Sequence, residues 1–285
     1  MQQNIYTLIF ATTSCIITQA QYFEIGIYGG VSGYNGDLSY NIIHVNEVHP
    51  SAGIKVSLPA SDYFAFNFSS KITTISGNDN NAEKIAFQAR NLDFSSRVFD
   101  GGFTVDYFIF GYDPVHGEMF SPYLTTGINV FHFNPKTVYN GETYELQPLG
   151  TEGQGTSAFP DREPYKLTQF SIPIAAGIKY AATRRINIGV ELTMNKTFTD
   201  YLDDVSTTYV DAATLTAENG AMSFELSNRT DEFLQSEPLP YNETQPRGNS
   251  AYKDWYGFLG LTLSYNFMKE RLANSDASSI GCPKF

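Results

Sequence analysis

The stretch DWYGFLGLTLSYNF, Asp254 to Phe267, decides the fold. Its odd positions carry Trp255, Leu259, Leu261, Leu263, Tyr265 and Phe267. Its even positions carry Gly260, Thr262, Ser264 and Asn266, with Tyr256 and Phe258 near the start. A strict period of two is the mark of a β-strand with one apolar and one polar face. Rings stand at both ends of the apolar face, as at the two edges of a bilayer. A soluble sandwich strand alternates in the same way, so the reading depends on whether the rest of the chain repeats it.

It does. Phe23, Ile25, Ile27 and Val31 alternate with Glu24, Gly26, Tyr28, Gly30 and Ser32. Ala52, Ile54, Val56 and Leu58 alternate with Ser51, Gly53, Lys55 and Ser57; Phe64, Phe66, Phe68 and Ile72 with Ala65, Asn67, Ser69, Lys71 and Thr73. Leu92 to Phe110 reads as a long strand whose phase slips near Val98 and Phe99, which predicts a bulge. Leu124, Ile128 and Val130, then Phe170 to Tyr180, then Ile186 to Met194 complete about eight strands. Each is long enough to cross a bilayer when tilted.

The connections alternate between long and short. The long ones are Asn35–His49, Gly77–Asn91, Pro135–Tyr165 and Lys196–Lys253, all read as polar loops. Short turns fall near Pro59, at Asp113–Met119 and at Thr183–Arg185. Alternating loop length predicts an all-β, transmembrane, up-and-down antiparallel barrel of OmpA or OmpW size, with long external loops and both termini periplasmic. A lipocalin-like barrel is the soluble alternative, but it needs no such alternation.

The remaining composition agrees. Aromatic residues make up 15% of the chain, and no apolar run reaches the length of a transmembrane helix. A net charge of -12 disfavours nucleic acid as a partner. Residues 1–20 read as a secretory signal peptide, with an apolar run from Ile5 to Ala11 and a small-residue site at Thr18-Gln19-Ala20, although MQQN lacks a basic residue. Thr12, three residues before Cys15, disfavours a lipoprotein site. The barrel then occupies residues 21–267 and a polar periplasmic tail residues 268–285, in the outer membrane. Cleavage leaves Cys282 as the single thiol, so the barrel has no internal disulfide.

If the apolar faces meet lipid, the other faces fill the lumen with Glu24, Lys55, Lys71, Asp100, Asp106, Lys179 and Glu191. Charges in so narrow a space must pair, and eight strands leave room only for side chains. The expectation is a plugged interior without a pore. The final strand, with Gly260, Tyr265 and Phe267, is similar to the C-terminal signal read by barrel-insertion machinery.

Candidate chemistry is sparse. The histidines are His44, His49, His116 and His132, and G-x-S-x-G, H-E-x-x-H and Cys/His metal spacings are missing. Asp200, Asp203 and Asp204 in TDYLDD are of the type that binds a divalent cation, but without EF-hand spacing they read as a solvated acidic loop or an Asp-stabilised turn. The expectation is a non-enzymatic protein without cofactor, metal or small-molecule substrate.

Four stretches go beyond periodicity: GINVFHFNP (Gly127–Pro135), YELQPLGTEGQG (Tyr144–Gly155), KTFTDYLDDVSTTYVD (Lys196–Asp211) and RGN (Arg247–Asn249). Together with the strands they resemble the PorG family of the Bacteroidetes type IX secretion system, outer-membrane β-barrels also grouped under a domain of unknown function. The resemblance implies a non-enzymatic component of that machine, next to the periplasmic ring of the lipoprotein PorK and its partner PorN. The other reading is a stand-alone surface barrel, an adhesin or an envelope-stabilising protein. Arg184, Arg185, Lys269 and Arg271 predict a locally basic periplasmic end suited to an acidic partner surface, with Cys282 as a packed contact or a covalent link.

Overall fold

A computed structural model describes residues 22–39 and 47–268. The segment 1–20 expected to be a signal peptide, His44 and the segment bearing Lys269, Arg271 and Cys282 lie outside the described residues. Ten strands form one antiparallel sheet. Eight of them close into a barrel: β1 (Tyr22–Asn35), β2 (His49–Pro59), β3 (Phe64–Asn78), β4 (Asp93–Phe108), β5 (Phe120–His132), β8 (Thr168–Ala181), β9 (Ile186–Thr197) and β10 (Trp255–Met268). Closure comes from two seams. β1 pairs with β10 along its whole length, from Tyr22–Met268 to Asn35–Trp255, and β3 pairs with β4. No barrel strand is left with an open edge, so every ladder group finds a partner inside the sheet.

The outside of this barrel is greasy. Phe103 is 72% exposed and Leu261 65%, and Ile27, Ile54, Ile128, Phe170 and Leu192 also project outward. An apolar belt running round the whole circumference is stable only against lipid, so the barrel spans a membrane. At the turn end the belt is edged by rings: Phe23 stacks on Phe267 with centroids 4.9 Å apart, and Phe64 meets Tyr107 at 5.3 Å. Among the described residues no helix is long and apolar enough to cross a membrane.

β4 corrects one expectation. Its pairing with β3 runs without interruption from Asn78–Asp93 to Phe64–Tyr107, and its burial alternates throughout; there is no bulge at Val98 and Phe99. What changes there is the medium inside. Toward the loop end the lumen holds an apolar core that includes Tyr34, Ile75, Phe94, Val98, Phe131 and Tyr256. Inward residues therefore turn from polar to apolar while the pleat stays in phase. The hydropathy slipped and the geometry did not.

The long connections are also more ordered than loops. Residues 135–165 contain a hairpin, β6 (Pro135–Tyr139) and β7 (Glu142–Glu145), which extends the sheet from β4. Helix α1 (Ile85–Arg90) follows β3. Three short helices, α2 (Ala212–Glu218), α3 (Ala221–Ser227) and α4 (Thr230–Leu234), lie between β9 and β10. The described parts of the four long connections sit at one end and form a cap; the short turns sit at the other.

Candidate functional site

Three layers fill the barrel axis. In the middle lies the charged layer. Lys55 bonds Asp106 at 2.9 Å and approaches Glu191 at 3.5 Å; Lys71 bonds Glu191 at 3.0 Å; Lys179 bonds Glu24 at 2.5 Å. Neutral donors supply the rest. The Tyr123 hydroxyl donates to Glu191 at 2.9 Å and Thr125 to Asp106 at 2.7 Å. Asp100 has no lysine on it: the Tyr256 hydroxyl at 2.5 Å and the Asn129 amide at 2.9 Å hold it instead. Lys71 also lies over the Tyr28 ring at 4.7 Å, and Lys179 over Tyr112 at 4.8 Å. The space left among these groups is about 50 Å³. That is room for one or two waters and not for a stream of ions.

Glycines make the space for the rings. A Cβ on Gly260 would lie 2.6 Å from Tyr28 Cζ, and one on Gly177 would lie 2.5 Å from Tyr123 Cζ. Gly260, read in the sequence as part of an assembly signal, thus lets Tyr28 lie flat across the wall. Below the charges, Phe108, Tyr112, Tyr123, Ala65 and Ala181 close the turn end.

Above the charges sits the cap, and here the loop motifs meet. Glu152, fully buried in TEGQG, accepts from the Ser206 and Thr207 backbone N–H groups, both at 2.9 Å, and from Arg247 Nη1 of RGN at 3.1 Å. Asp204 accepts from Thr151 at 2.5 Å and from the Tyr165 hydroxyl at 2.7 Å. Arg90 grips Asp79 through two bonds, 2.7 and 2.8 Å, and donates to the Arg247 carbonyl at 2.5 Å. Tyr34 donates to Asp203. Arg90 Nη2 also donates to the Asp37 carbonyl at 3.0 Å, so described residues of all four connections are tied together.

The solvated acidic loop expected at Asp200, Asp203 and Asp204 is corrected by this packing. All three are buried, at 3%, 1% and 0% exposure. The turn component of that expectation does occur, because the Val205 N–H donates to Asp203 Oδ1 at 2.9 Å. Burial raises the carboxyl groups of Asp200 and Asp204 to about 6, despite the opposing pull of Ser206 on the first and Arg247 on the second. Burial also raises Asp203 and Asp254 well above the usual range. Among the described residues no group of three or more His, Cys, Asp or Glu side chains is arranged to hold a metal ion. Periodicity gave no signal for Glu152, Arg90 or Arg247. Glu152 and Arg247 left a trace in the TEGQG and RGN motifs, and Arg90 left none.

The histidines are scattered. His49 Nε2 lies 2.7 Å from Ser76 Oγ, His132 Nδ1 lies 2.9 Å from Thr168 Oγ1, and His116 contacts Asp113 in a turn. Of the basic end expected, only Arg184 and Arg185 fall among the described residues. Arg184 and Arg185 share it with Asp62, Asp113 and Glu118, so the described part is mixed in sign. The β8–β9 turn is pinned to β10, with Arg185 Nη1 donating to the Tyr265 hydroxyl at 2.9 Å and Asn266 Nδ2 to the Arg184 carbonyl at 2.9 Å. Phe267 faces outward, stacked on Phe23.

Residues 3–151, just over half of the chain, match the model of a family described as a domain of unknown function, DUF6089. The chain belongs to the DUF6089 family. The matched part of this DUF6089 protein runs from before β1 to the edge of the TEGQG motif. No curated protein matches the chain. Similar solved structures include Ail, the attachment invasion locus protein of Yersinia pestis, at 10% identity and a TM-score of 0.41, covering 86% of this chain and 98% of that one. Neisserial surface protein A gives 11% identity and 0.39, covering 86% and 97%; OprG of Pseudomonas aeruginosa gives 9% and 0.37, covering 87% and 98%. At such scores the barrel rests on its own strand pairing.

Proposed function

We propose that this DUF6089 protein is a non-enzymatic outer-membrane barrel of the type IX secretion system that docks the periplasmic PorK/PorN ring. The observation that carries the reading is that the axis is filled at three levels: apolar plug, ion-paired layer and folded cap. A filled barrel is an anchor and not a conduit. With its sides in lipid and its loop end committed to the cap, the turn end and the tail are what it offers a partner. The loop motifs supply the link to the secretion family by resemblance, and the cap gives them a physical role, since they bond to one another.

The test is genetic and biochemical. Deleting the gene should abolish export of proteins carrying the system's C-terminal signal, and the tagged barrel should co-purify with PorK and PorN. Normal export together with altered surface adhesion or envelope fragility would favour the stand-alone surface barrel. The Ser76–His49 contact tests the non-enzymatic part: Ser76→Ala should leave activity toward lipid esters at background, as in the parent protein.

A further inference from the structure

We propose that the loop-end edge of the apolar belt, across β4, β5, β8, β9 and β10, binds the phosphate groups of anionic membrane glycolipids. The proposal rests on the reading of the barrel as membrane-spanning. These five strands are consecutive neighbours in the sheet. Their charged outward residues are Asp93, Arg97 and Lys196, with the His132 ring between. Arg229 takes Asp93. That leaves Arg97 and Lys196 as outward cations in the loop-side halves of their strands. Arg97 stands one outward position above Phe99, which faces His132; His132 pairs with Thr168; Lys196 lies between Ile172 and Trp255. Lys166, exposed two residues before Thr168, adds a further charge. Arg97, Lys166 and Lys196 have no ion pair among the described residues, whereas nearby Glu145 and Glu232 are engaged by Lys136 and Arg229.

Height selects the ligand. One outward position below Arg97 and Thr168 lie Phe99 and Phe170, exposed at 49% and 62%, and Phe198, at 58%, follows Lys196 on the loop side. Lys196 sits over the Trp255 ring at 6.0 Å. The amphipathic indole of a belt-edge tryptophan such as Trp255 marks the level where acyl chains give way to headgroups. Unpaired cations at that level face lipid phosphate, whose charge is opposite and whose chains are held by the rings beneath. A protein partner at the same height would have to displace lipid from the belt. The whole chain carries a net charge of -12, so outward cations without an ion pair are a local departure from its composition.

The barrel is reconstituted in phosphatidylcholine nanodiscs containing bisphosphorylated lipid A, and lipid retained on the protein is counted by native mass spectrometry. The parent protein should retain bisphosphorylated lipid A over its dephosphorylated form. Each cation is worth about fivefold in affinity at a membrane surface. Arg97→Gln with Lys196→Gln should therefore lower retention roughly twentyfold to thirtyfold. Arg97→Lys with Lys196→Arg should keep most of it, which separates charge from damage to the fold. Equal retention of the two lipid A forms, or an unchanged glutamine variant, overturns the proposal. Displacement of lipid A by millimolar inorganic phosphate also overturns it, by making these cations a site for free anions.

Discussion

Removing Arg247 would strand Glu152 and Asp204, which lie at 0% exposure and share its guanidinium. Breaking a buried pair from one side typically costs about 3–5 kcal/mol. Arg247→Met is expected to open the cap to limited proteolysis between residues 198 and 253, while the barrel keeps its heat-modifiable migration on gels. The two outcomes separate because the barrel ladder does not pass through Arg247. The cap should also respond to pH. Asp200 and Asp204 are raised to about 6 by burial, above the value near 4 of an unfolded Asp. The folded cap thus binds their protons more tightly than the unfolded chain does. Their contribution is complete below about pH 4, is lost as pH rises to about 6, and changes little beyond. Amide exchange in the cap should be slower at pH 4.5 than at pH 7, after correction for intrinsic exchange rates. Asp204→Asn should flatten that difference; an unaltered slope would mean that other groups set it.

Among the elements, β4 and β10 show what was legible and what was not. Alternation in β10 placed Leu259, Leu261, Leu263 and Tyr265 outside correctly, because lipid outside and polar lumen inside give each face one character. The same rule misread β4 at Val98, where the inside becomes an apolar core and both faces are greasy. The β6–β7 hairpin was hidden in a loop because its four-residue partner ETYE has no apolar face to alternate. The cap helices escaped because they are at most seven residues long, too short for a 3.6-residue period to emerge. At this scale the rings crossing glycines make the sharpest prediction. Gly177→Ala should hinder folding, since its Cβ would fall 2.5 Å from the Tyr123 ring. Adding Tyr123→Ala removes the ring contact but leaves the Val190 carbonyl oxygen 2.7 Å from the new Cβ and Glu191 short of one donor, so recovery should be partial. A partial gain in the double variant, read as the folded fraction after refolding into detergent, would assign that share of the loss to the ring clash. At the seam, Phe267→Ala removes the stack on Phe23 and should reduce insertion.

For the whole molecule, the alternation of long and short connections was enough to give the closed order of strands, because a hairpin barrel has no other freedom. The contacts that build the cap were not legible in that way. They join residues such as Tyr34 and Asp203, or Arg90 and Arg247, far apart in sequence and linked by no pattern. The orientation of the barrel follows from the same alternation, and cysteine labelling checks it. Ala158 and Ser236 are exposed on the cap and Ala182 in a turn at the other end. Cysteines at the first two should react with an impermeant reagent on whole cells, and one at Ala182 only after the outer membrane is disrupted. The lumen gives the final test. An ion crossing the barrel must pass the cap, then three lysines held by Asp106, Glu191 and Glu24, then the rings of Phe108, Tyr112 and Tyr123. The space among the charges is about 50 Å³, and both ends are shut by packed side chains. The purified protein should show no steady conductance in planar bilayers. Arg247→Met, which loosens the cap alone, should leave it silent, because the ion pairs and the lower ring cluster still block the path. Adding charge removal at Glu191 and Tyr123→Ala to Arg247→Met attacks all three barriers, so this combination, if it folds, is the one expected to leak. Conductance in the Arg247 variant would mean that the cap is the seal and that the lower layers are permeable.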